Sequence, residues 1–185
     1  MQYDRQALID LIREQALEFG DFTLASGKKA SFYLDCRKVT LDSRGANLIA
    51  AGMLEQMAAD FPEDNFPDAV GGMAIGADPI TGAIVTLSGQ SDRPLRGFIV
   101  RKEAKQHGKG QAVEGPVSAG DRVVIVEDVV TTGGSALLAI DQAVAAGLQV
   151  IGALTIIDRQ AGGAEAFAAK GVPLKSLFTI AEFGL

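Results

Sequence analysis

Short apolar runs alternate with stretches of helical periodicity along much of this chain, and this alternation constrains the fold more than any other feature. Apolar runs occupy residues 69–72, 95–100, 122–126 and 150–157, and helical patterns follow Pro79 and cover residues 135–146. Strands joined through helices form right-handed crossovers in a parallel sheet that is covered on both faces. The pattern therefore predicts an α/β fold with a central, mainly parallel sheet flanked by helices. A weak helix over residues 164–170 and a strand over 174–180 are expected to complete it.

The segment before this alternation has a different character. Residues 4–18 show the apolar spacing of an amphipathic helix, and FTLASGKKASFYLD (residues 22–35) reads as two short strands around a Ser-Gly-Lys turn. A helix capped by Asp42 or Ser43 should then run to about residue 59. We expect the hairpin to form a small N-terminal hood, contributed mainly by about residues 1–40, within a single domain spanning residues 1–185.

Composition excludes several classes of partner. The 185 residues include 17 basic and 23 acidic side chains, a net charge of −6, which disfavours nucleic acid or an anionic membrane as the main partner. Cys36 is the single cysteine, so no disulfide can form within the chain, and its ordinary role is that of a small buried hydrophobe. Without a signal-peptide core or an apolar stretch of about 20 residues, the protein is expected to be cytoplasmic and not membrane-bound.

The stretch VVIVEDVVTTGGS (residues 123–135) joins a buried strand to a pair of acids and then to a loop of hydroxyls and glycines. In open parallel sheets, ligands bind outside the carboxyl ends of the strands. The free N–H groups of a helix that begins in TTGGS would hold a phosphate, and Glu127 and Asp128 would hold sugar hydroxyls or a hydrated magnesium ion. The arrangement predicts a pocket for a phosphorylated ribose, although Gly-Gly-Ser alone also fits an ordinary helix cap.

A second candidate stretch, RKEAKQHGKG (residues 101–110), concentrates basic side chains in an acidic protein. A charge run of this kind is often a solvated loop. Here it follows a strand of the same sheet and contains glycines that suit a closing lid, so it also fits an anionic group such as pyrophosphate.

FTLASGKKASFYLDCR, RKEAKQHGKG, VVIVEDVVTTGGS and DRQ (residues 158–160) together resemble the orotate phosphoribosyltransferase family of type I phosphoribosyltransferases, in the family's order and over nearly the whole chain. The resemblance implies that phosphoribosyl pyrophosphate (PRPP) and orotate give orotidine 5′-monophosphate and pyrophosphate, with Mg²⁺, in pyrimidine biosynthesis. It further implies a homodimer with shared active sites, in which the basic loop reaches the neighbouring subunit.

The resemblance also assigns roles to individual residues. It implies that pyrophosphate is bound by Arg101, Lys102, Lys105 and His107. It implies that the ribose phosphate is bound by Glu127, Asp128, Val129, Val130, Thr131, Thr132, Gly133, Gly134 and Ser135. Thr131 and Arg159 would contact orotate, with Tyr33 in the hood over the base, and magnesium would be held mainly by substrate oxygens rather than by protein side chains.

The residues themselves leave alternatives open for the base side. An arginine fork suits the carboxylate that distinguishes orotate from uracil, but an isolated Arg159 equally fits a surface ion pair. Tyr33 also fits a hydrophobic contact within the hairpin. Two positions depart from some bacterial relatives, because Gly76 and Ala25 stand where those relatives have lysine, and the family leads us to expect a tight peptide within residues 73–76.

Three other functions remain as alternatives. A purine-base phosphoribosyltransferase would not need a carboxylated base, and a non-catalytic PRPP-binding regulator would bind PRPP without turnover. A phosphate-binding domain of unrelated chemistry would leave the basic loop and the hairpin unexplained. We expect no decarboxylase domain on this polypeptide.

Overall fold

The computed structural model describes residues 3–23, 29–102 and 112–185. The strands are β1 (Leu17–Thr23), β2 (Lys29–Leu34), β3 (Ala69–Met73), β4 (Arg96–Val100), β5 (Val113–Glu114), β6 (Arg122–Val130), β7 (Gln149–Asp158) and β8 (Leu174–Thr179). The α-helices are α1 (Arg5–Gln15), α2 (Arg37–Thr40), α3 (Ser43–Asp60), α4 (Ala77–Ser88), α5 (Gly134–Ala145) and α6 (Gly163–Ala169). Two short 3₁₀ helices cover Glu63–Asn65 and Ile180–Phe183.

The main sheet has six strands in the order β5-β4-β3-β6-β7-β8. All neighbours are parallel except β4 and β5, which pair antiparallel. Buried residues of α1, α3 and α4 pack on one face of the sheet, and those of α5 and α6 pack on the other. The predicted α/β class, with a mainly parallel sheet covered on both faces, is confirmed.

Strand β6 shows how the sequence is divided between the two faces. Val124 and Val126 belong to the core on the α3 and α4 side, whereas Val123 and Ile125 belong to the core on the α5 side. All four are fully buried. A central parallel strand is covered on both faces, so it is apolar without interruption instead of alternating with polar residues.

The N-terminal segment forms the predicted helix and hairpin with shifted boundaries. Helix α1 begins after Asp4, whose carboxylate accepts the Ala7 N–H at 2.9 Å, and it ends at Gln15. Strand β1 starts at Leu17, five residues before the predicted start, because Leu17 pairs with Leu34 across the hairpin. That long-range pairing has no local signal in the sequence. At α3, the cap is Asp42, which accepts the Gly45 N–H at 2.9 Å.

The start of α4 and the presence of β5 also differ from the prediction, each for a simple physical reason. Helix α4 starts at Ala77, before Pro79, because a proline in the first helical turn lacks only an N–H that has no partner within the helix. Strand β5 was not predicted, and its two residues are too few to produce a periodic pattern.

Two expectations from composition can be compared with the structure. Cys36 is buried, with 2% of its surface exposed, and burial raises the pKa of its thiol, so its packing role is confirmed. Within the described parts of the chain, no helix combines the length and apolar character needed to cross a membrane.

Candidate functional site

The candidate site lies where β6 continues beyond the end of its pairing with β3. Strand β3 pairs with β6 only from Ala69 opposite Val123 to Gly71 opposite Ile125, whereas β7 pairs with β6 as far as Val130. The last residues of β6 therefore have a strand on one side only. The acids were predicted to follow the strand, but Glu127 and Asp128 are part of it, because β7 continues the ladder beside them.

The two acids differ in their exposure. Glu127 is buried, with 7% of its surface exposed, and its Oε1 accepts the Asp128 N–H at 3.2 Å. Desolvation, together with the neighbouring charge of Asp128, raises the pKa of Glu127 to about 8. Asp128 is partly buried, and its Oδ1 accepts the Val129 N–H at 2.8 Å. Neither carboxylate forms a salt bridge with a described lysine or arginine, so both remain available to a ligand.

The loop after β6 and the start of α5 form an open cradle, which we define as residues 131–135. Gly133 has φ +82°, a backbone conformation that favours glycine, and it precedes the first residue of α5 without a side-chain cap. The first N–H groups of α5 have no partner within the helix. Thr131, Thr132 and Ser135 are exposed at this end of the helix. A cavity of about 270 Å³ is lined by the residues from Glu127 to Ala136. Free N–H groups at the positive end of a helix dipole, with hydroxyls beside them, suit a phosphate.

Arg159 lies next to the cradle. Its backbone N–H donates to the Val130 carbonyl at 2.8 Å, which places it across from the residue that precedes Thr131. The side chain is partly buried and forms no salt bridge with a described carboxylate. The alternative of a surface ion pair is therefore not seen among the described residues, and the guanidinium retains its capacity to bind an anion.

The hood contributes two aromatic residues to this region in different ways. The Arg159 guanidinium carbon lies 5.1 Å from the centroid of the Phe32 ring. Tyr33, the next residue, is 41% exposed, and its ring lies 5.8 Å from that of Phe22. Tyr33 thus makes the intrahairpin contact considered as its alternative role, and its contact with a base stays a prediction.

The basic stretch is described only at its start. Arg101 and Lys102 directly follow β4 and are exposed, at the same edge of the sheet as the acids. The Arg101 Nε donates to Glu114 of β5 at 2.6 Å, and its backbone N–H donates to the Ala112 carbonyl at 2.8 Å. Lys105 and His107 lie outside the described residues, as does Ala25.

Gly76 approaches the two acids from the start of α4. A Cβ atom at this position would lie 3.3 Å from Glu127 Oε1 and 3.4 Å from Asp128 Oδ1. Its backbone is in the ordinary right-handed helical region, with φ −59° and ψ −41°, so the conformation does not require glycine. The peptide bond between Ala74 and Ile75, in the segment where a tight peptide was expected, is cis.

The acid pair suits a magnesium ion that arrives with a phosphorylated ligand. Among residues 3–23, 29–102 and 112–185, no three histidine, cysteine or acidic side chains are grouped to form a protein cage for a metal. Mg²⁺ is commonly held by one or two carboxylates, several waters and substrate phosphates. Glu127 and Asp128, adjacent in β6 and without a salt bridge to any lysine or arginine that the structure describes, fit that mode of binding.

Sequence reasoning did not single out Phe32 or recognise how closely Gly76 approaches the acids. For Phe32 the sequence did contain a signal, because Phe32 and Leu34 alternate with Ser31 and Tyr33 along β2, and the structure buries the first two in part and exposes the other two. For Gly76 there was none, since its neighbours in space come from a strand about 50 residues later.

Comparisons with known proteins find relatives that cover nearly the whole chain. The family model described as "Phosphoribosyl transferase domain" matches residues 49–176. A curated orotate phosphoribosyltransferase of Rhodopirellula baltica is 61% identical over 183 residues, covering 98% of this chain and 95% of the relative. Another curated orotate phosphoribosyltransferase, from Thermosynechococcus vestitus, is 46% identical and covers 96% and 92%. The crystal structure of Mycobacterium tuberculosis orotate phosphoribosyltransferase in complex with PRPP matches with a TM-score of 0.82 at 36% identity, covering 98% of this chain and 99% of that one.

Proposed function

Because the chain belongs to the phosphoribosyl transferase family, within its orotate phosphoribosyltransferases, we propose that its sheet-edge site transfers the 5-phosphoribosyl group from PRPP to orotate. The products are orotidine 5′-monophosphate and pyrophosphate, and the reaction belongs to pyrimidine biosynthesis. The observation that carries this assignment to individual residues is that two acids, an open phosphate cradle and Arg159 meet at one edge of the sheet. Neither the acids nor Arg159 form a salt bridge with another described residue.

The cradle and the acid pair hold the ribose 5-phosphate. The 5′-phosphate binds the N–H groups at the start of α5 and the hydroxyls of Thr131, Thr132 and Ser135, supported by the exposed position of these side chains. Gly133 and Gly134 let the phosphate approach the backbone. Glu127 and Asp128 accept hydrogen bonds from the ribose hydroxyls. Val129 and Val130 connect the acid pair to the cradle and line the site between them.

Pyrophosphate is held by the basic stretch. Arg101 and Lys102 follow β4 on the side of the acid pair, and Lys105 and His107 continue the same charged segment in sequence. Arg101 exchanges its contact with Glu114 for the leaving group, since a charge-assisted hydrogen bond to pyrophosphate can replace an exposed ion pair.

Orotate lies between Arg159, Thr131 and the hood. The Arg159 fork takes the carboxylate of the base, because two parallel N–H donors match a carboxylate. Thr131 contacts the base from the start of the cradle, and Tyr33 covers it from the hood. This assignment explains why a cationic side chain next to the cradle has no described acidic partner.

Catalysis in this site is mainly positioning and charge stabilisation. The deprotonated ring nitrogen of orotate attacks the anomeric carbon of the ribose, the carbon–oxygen bond to pyrophosphate breaks, and no covalent enzyme intermediate forms. The acid pair orients the ribose, and the basic side chains stabilise the charge that develops on the leaving pyrophosphate. Magnesium, when bound mainly through substrate oxygens, neutralises part of that charge.

The proposal extends to assembly and location. By likeness to its family, the protein is a cytoplasmic homodimer in which the basic stretch of each subunit reaches the neighbouring site. Sedimentation of the purified chain tests the dimer, and mixing Lys105→Ala with Arg159→Ala subunits tests site sharing through recovery of activity.

Substrate choice is the direct test of the function. Orotate absorbance is followed after the protein is mixed with PRPP and Mg²⁺, with uracil, adenine and hypoxanthine as parallel bases. We expect consumption of orotate alone, and a Lys105→Ala variant should be about ten- to hundredfold slower if it loses one transition-state contact to pyrophosphate. Turnover of a purine base would transfer the assignment to a purine enzyme. PRPP binding without turnover of any base would indicate a regulator.

A further inference from the structure

The position of Phe32 relative to Arg159 carries an inference beyond the roles proposed above. The guanidinium carbon of Arg159 lies 5.1 Å from the Phe32 ring centroid, within the range of a cation–π interaction. The two residues come from opposite ends of the chain, one from the hood strand β2 and the other from the turn after β7. This contact links the hood directly to the residue proposed to select the base.

The backbone beneath Arg159 is fixed on both sides. Its own N–H donates to the Val130 carbonyl at 2.8 Å. The next residue, Gln160, has φ +52°, and its N–H donates to Asp158 Oδ1 at 2.8 Å. The freedom that remains lies in the long side chain, which has four rotatable bonds and a large conformational entropy.

Phe32 restricts the conformations of the Arg159 side chain by packing next to its guanidinium. It is partly buried and packs against the main core, while its neighbours Ser31 and Tyr33 are exposed on the other face of β2. Its cross-strand partner is Phe19 of β1. Because Phe19 is 70% exposed, packing against the core rather than Phe19 holds the Phe32 ring beside the guanidinium.

An aromatic ring suits this task better than a carboxylate. A carboxylate would occupy the N–H donors of the guanidinium and compete with the carboxylate of the base. A ring attracts the cation through its face and leaves the in-plane N–H donors free for a bidentate contact. The absence of a described acidic partner for Arg159 agrees with this division of roles.

We propose that Phe32 is a positioning residue that holds the Arg159 guanidinium in the orientation that binds the carboxylate of the base. The inference rests on the proposed function of Arg159. It predicts that the hood contributes to base recognition through Arg159, whether or not Phe32 itself touches the base.

A double-mutant cycle between Phe32 and Arg159 tests this role. Phe32→Leu should raise the KM for orotate about three- to tenfold, with kcat and the KM for PRPP changed less than about twofold. Phe32→Tyr keeps the ring and should stay within about twofold of wild type. In an Arg159→Ala background, Phe32→Leu should have no further effect on orotate, because the group on which it acts is gone.

Phe19→Leu is the matched control. It removes the ring opposite Phe32 in the same hairpin, is 70% exposed and has no described contact with Arg159. It should leave the KM for orotate unchanged. Equal effects of Phe32→Leu with and without Arg159, or a parallel rise in the KM for PRPP, would overturn the positioning role while leaving the function intact. Failure of the wild-type protein to consume orotate would overturn both.

Discussion

The ribose-phosphate side of the site and its base side are assembled in different ways. Residues 127–135 form one continuous stretch, and among the described residues they and Ala136 line a cavity of about 270 Å³. The proposed base side combines Phe32 of β2 with Thr131 and Arg159, which come from three separate segments of the chain. The half of the site that one continuous segment forms tolerates changes elsewhere in the fold. The half that is assembled from distant segments depends on how those segments pack.

This difference matters for specificity. Ribose phosphate is common to every reaction that uses PRPP, and a strand end followed by a helix N-terminus is sufficient to hold it. The base is the variable part of the reaction, and in our proposal its recognition depends on Arg159 and on the Phe32 ring that positions it. Variation in the hood can therefore change the base without rebuilding the cradle.

The largest expected effect separates the two sides through Arg159. Arg159→Ala removes a bidentate charge-assisted contact and should raise the KM for orotate by about tenfold to several hundredfold. PRPP affinity, measured by titration calorimetry, should be unchanged. Arg159→Lys keeps the charge but loses the two parallel N–H donors, so its KM for orotate should lie between those of the wild type and Arg159→Ala. A comparable loss of PRPP affinity in Arg159→Ala would contradict the separation into two sides.

A pair of adjacent glycines tests the cradle. Gly133→Ala forces alanine into φ +82° and places its Cβ 2.9 Å from Phe167 Cε2, so the free energy of unfolding should fall by about 1–3 kcal/mol. Gly134→Ala meets nothing within 4 Å and should leave stability within about 1 kcal/mol of wild type. Chemical denaturation measures both.

The same pair distinguishes folding from binding. Gly134→Ala should still weaken PRPP binding in calorimetry, because its methyl group projects from the first residue of α5 in the proposed phosphate site. Wild-type PRPP affinity in this variant would show that the phosphate does not approach the backbone there.

The fold could be predicted from the sequence because its main signals are local. The apolar runs of β3, β4, β6 and β7 are long enough to be visible, and the turn formers between them mark the crossovers. The acid pair and the cradle were also visible, since strand, acids, hydroxyls and glycines follow each other without a gap. Even there the end of β6 was wrong, because its last residues are held in the sheet by pairing with β7 and not by their own preference.

The contacts across the site could not be predicted in the same way. The stacking of Arg159 on Phe32 and the approach of Gly76 to the acids each join segments far apart in the chain. A hydrophobic pattern assigns such residues to a face of a strand or helix but does not say which residue they meet. Resemblance supplied roles for Arg159 and Tyr33, but not the ring that restrains the arginine.

The pH dependence of stability at Glu127 gives a test that involves only the ribose-phosphate side. Burial raises the pKa of Glu127 to about 8, so the folded state retains a proton that the unfolded chain releases near its ordinary pKa of 4.5. The resulting stabilisation is complete below that ordinary pKa and is lost as pH rises through about 8. Stability of the wild type relative to Glu127→Gln should therefore fall between about pH 5 and pH 8 and then level off. Thermal unfolding without metal or substrate measures this, and parallel curves for the two proteins would contradict it.

The smallest effect is expected at Gly76, where α4 approaches the same acids. Alanine can adopt φ −59°, and its Cβ would meet only the ends of two side chains at 3.3 and 3.4 Å, so stability should stay within about 1 kcal/mol of wild type. PRPP binding should weaken about two- to fivefold, because the carboxylates must shift slightly from the position that holds the ribose. Gly82→Ala is the matched control, since Gly82 lies within α4, the helix that Gly76 directly precedes as its cap residue, and its Cβ meets nothing within 4 Å. If both variants bind PRPP like wild type, the space at Gly76 has no part in ribose binding, and the ribose-phosphate side is confined to residues 127–135.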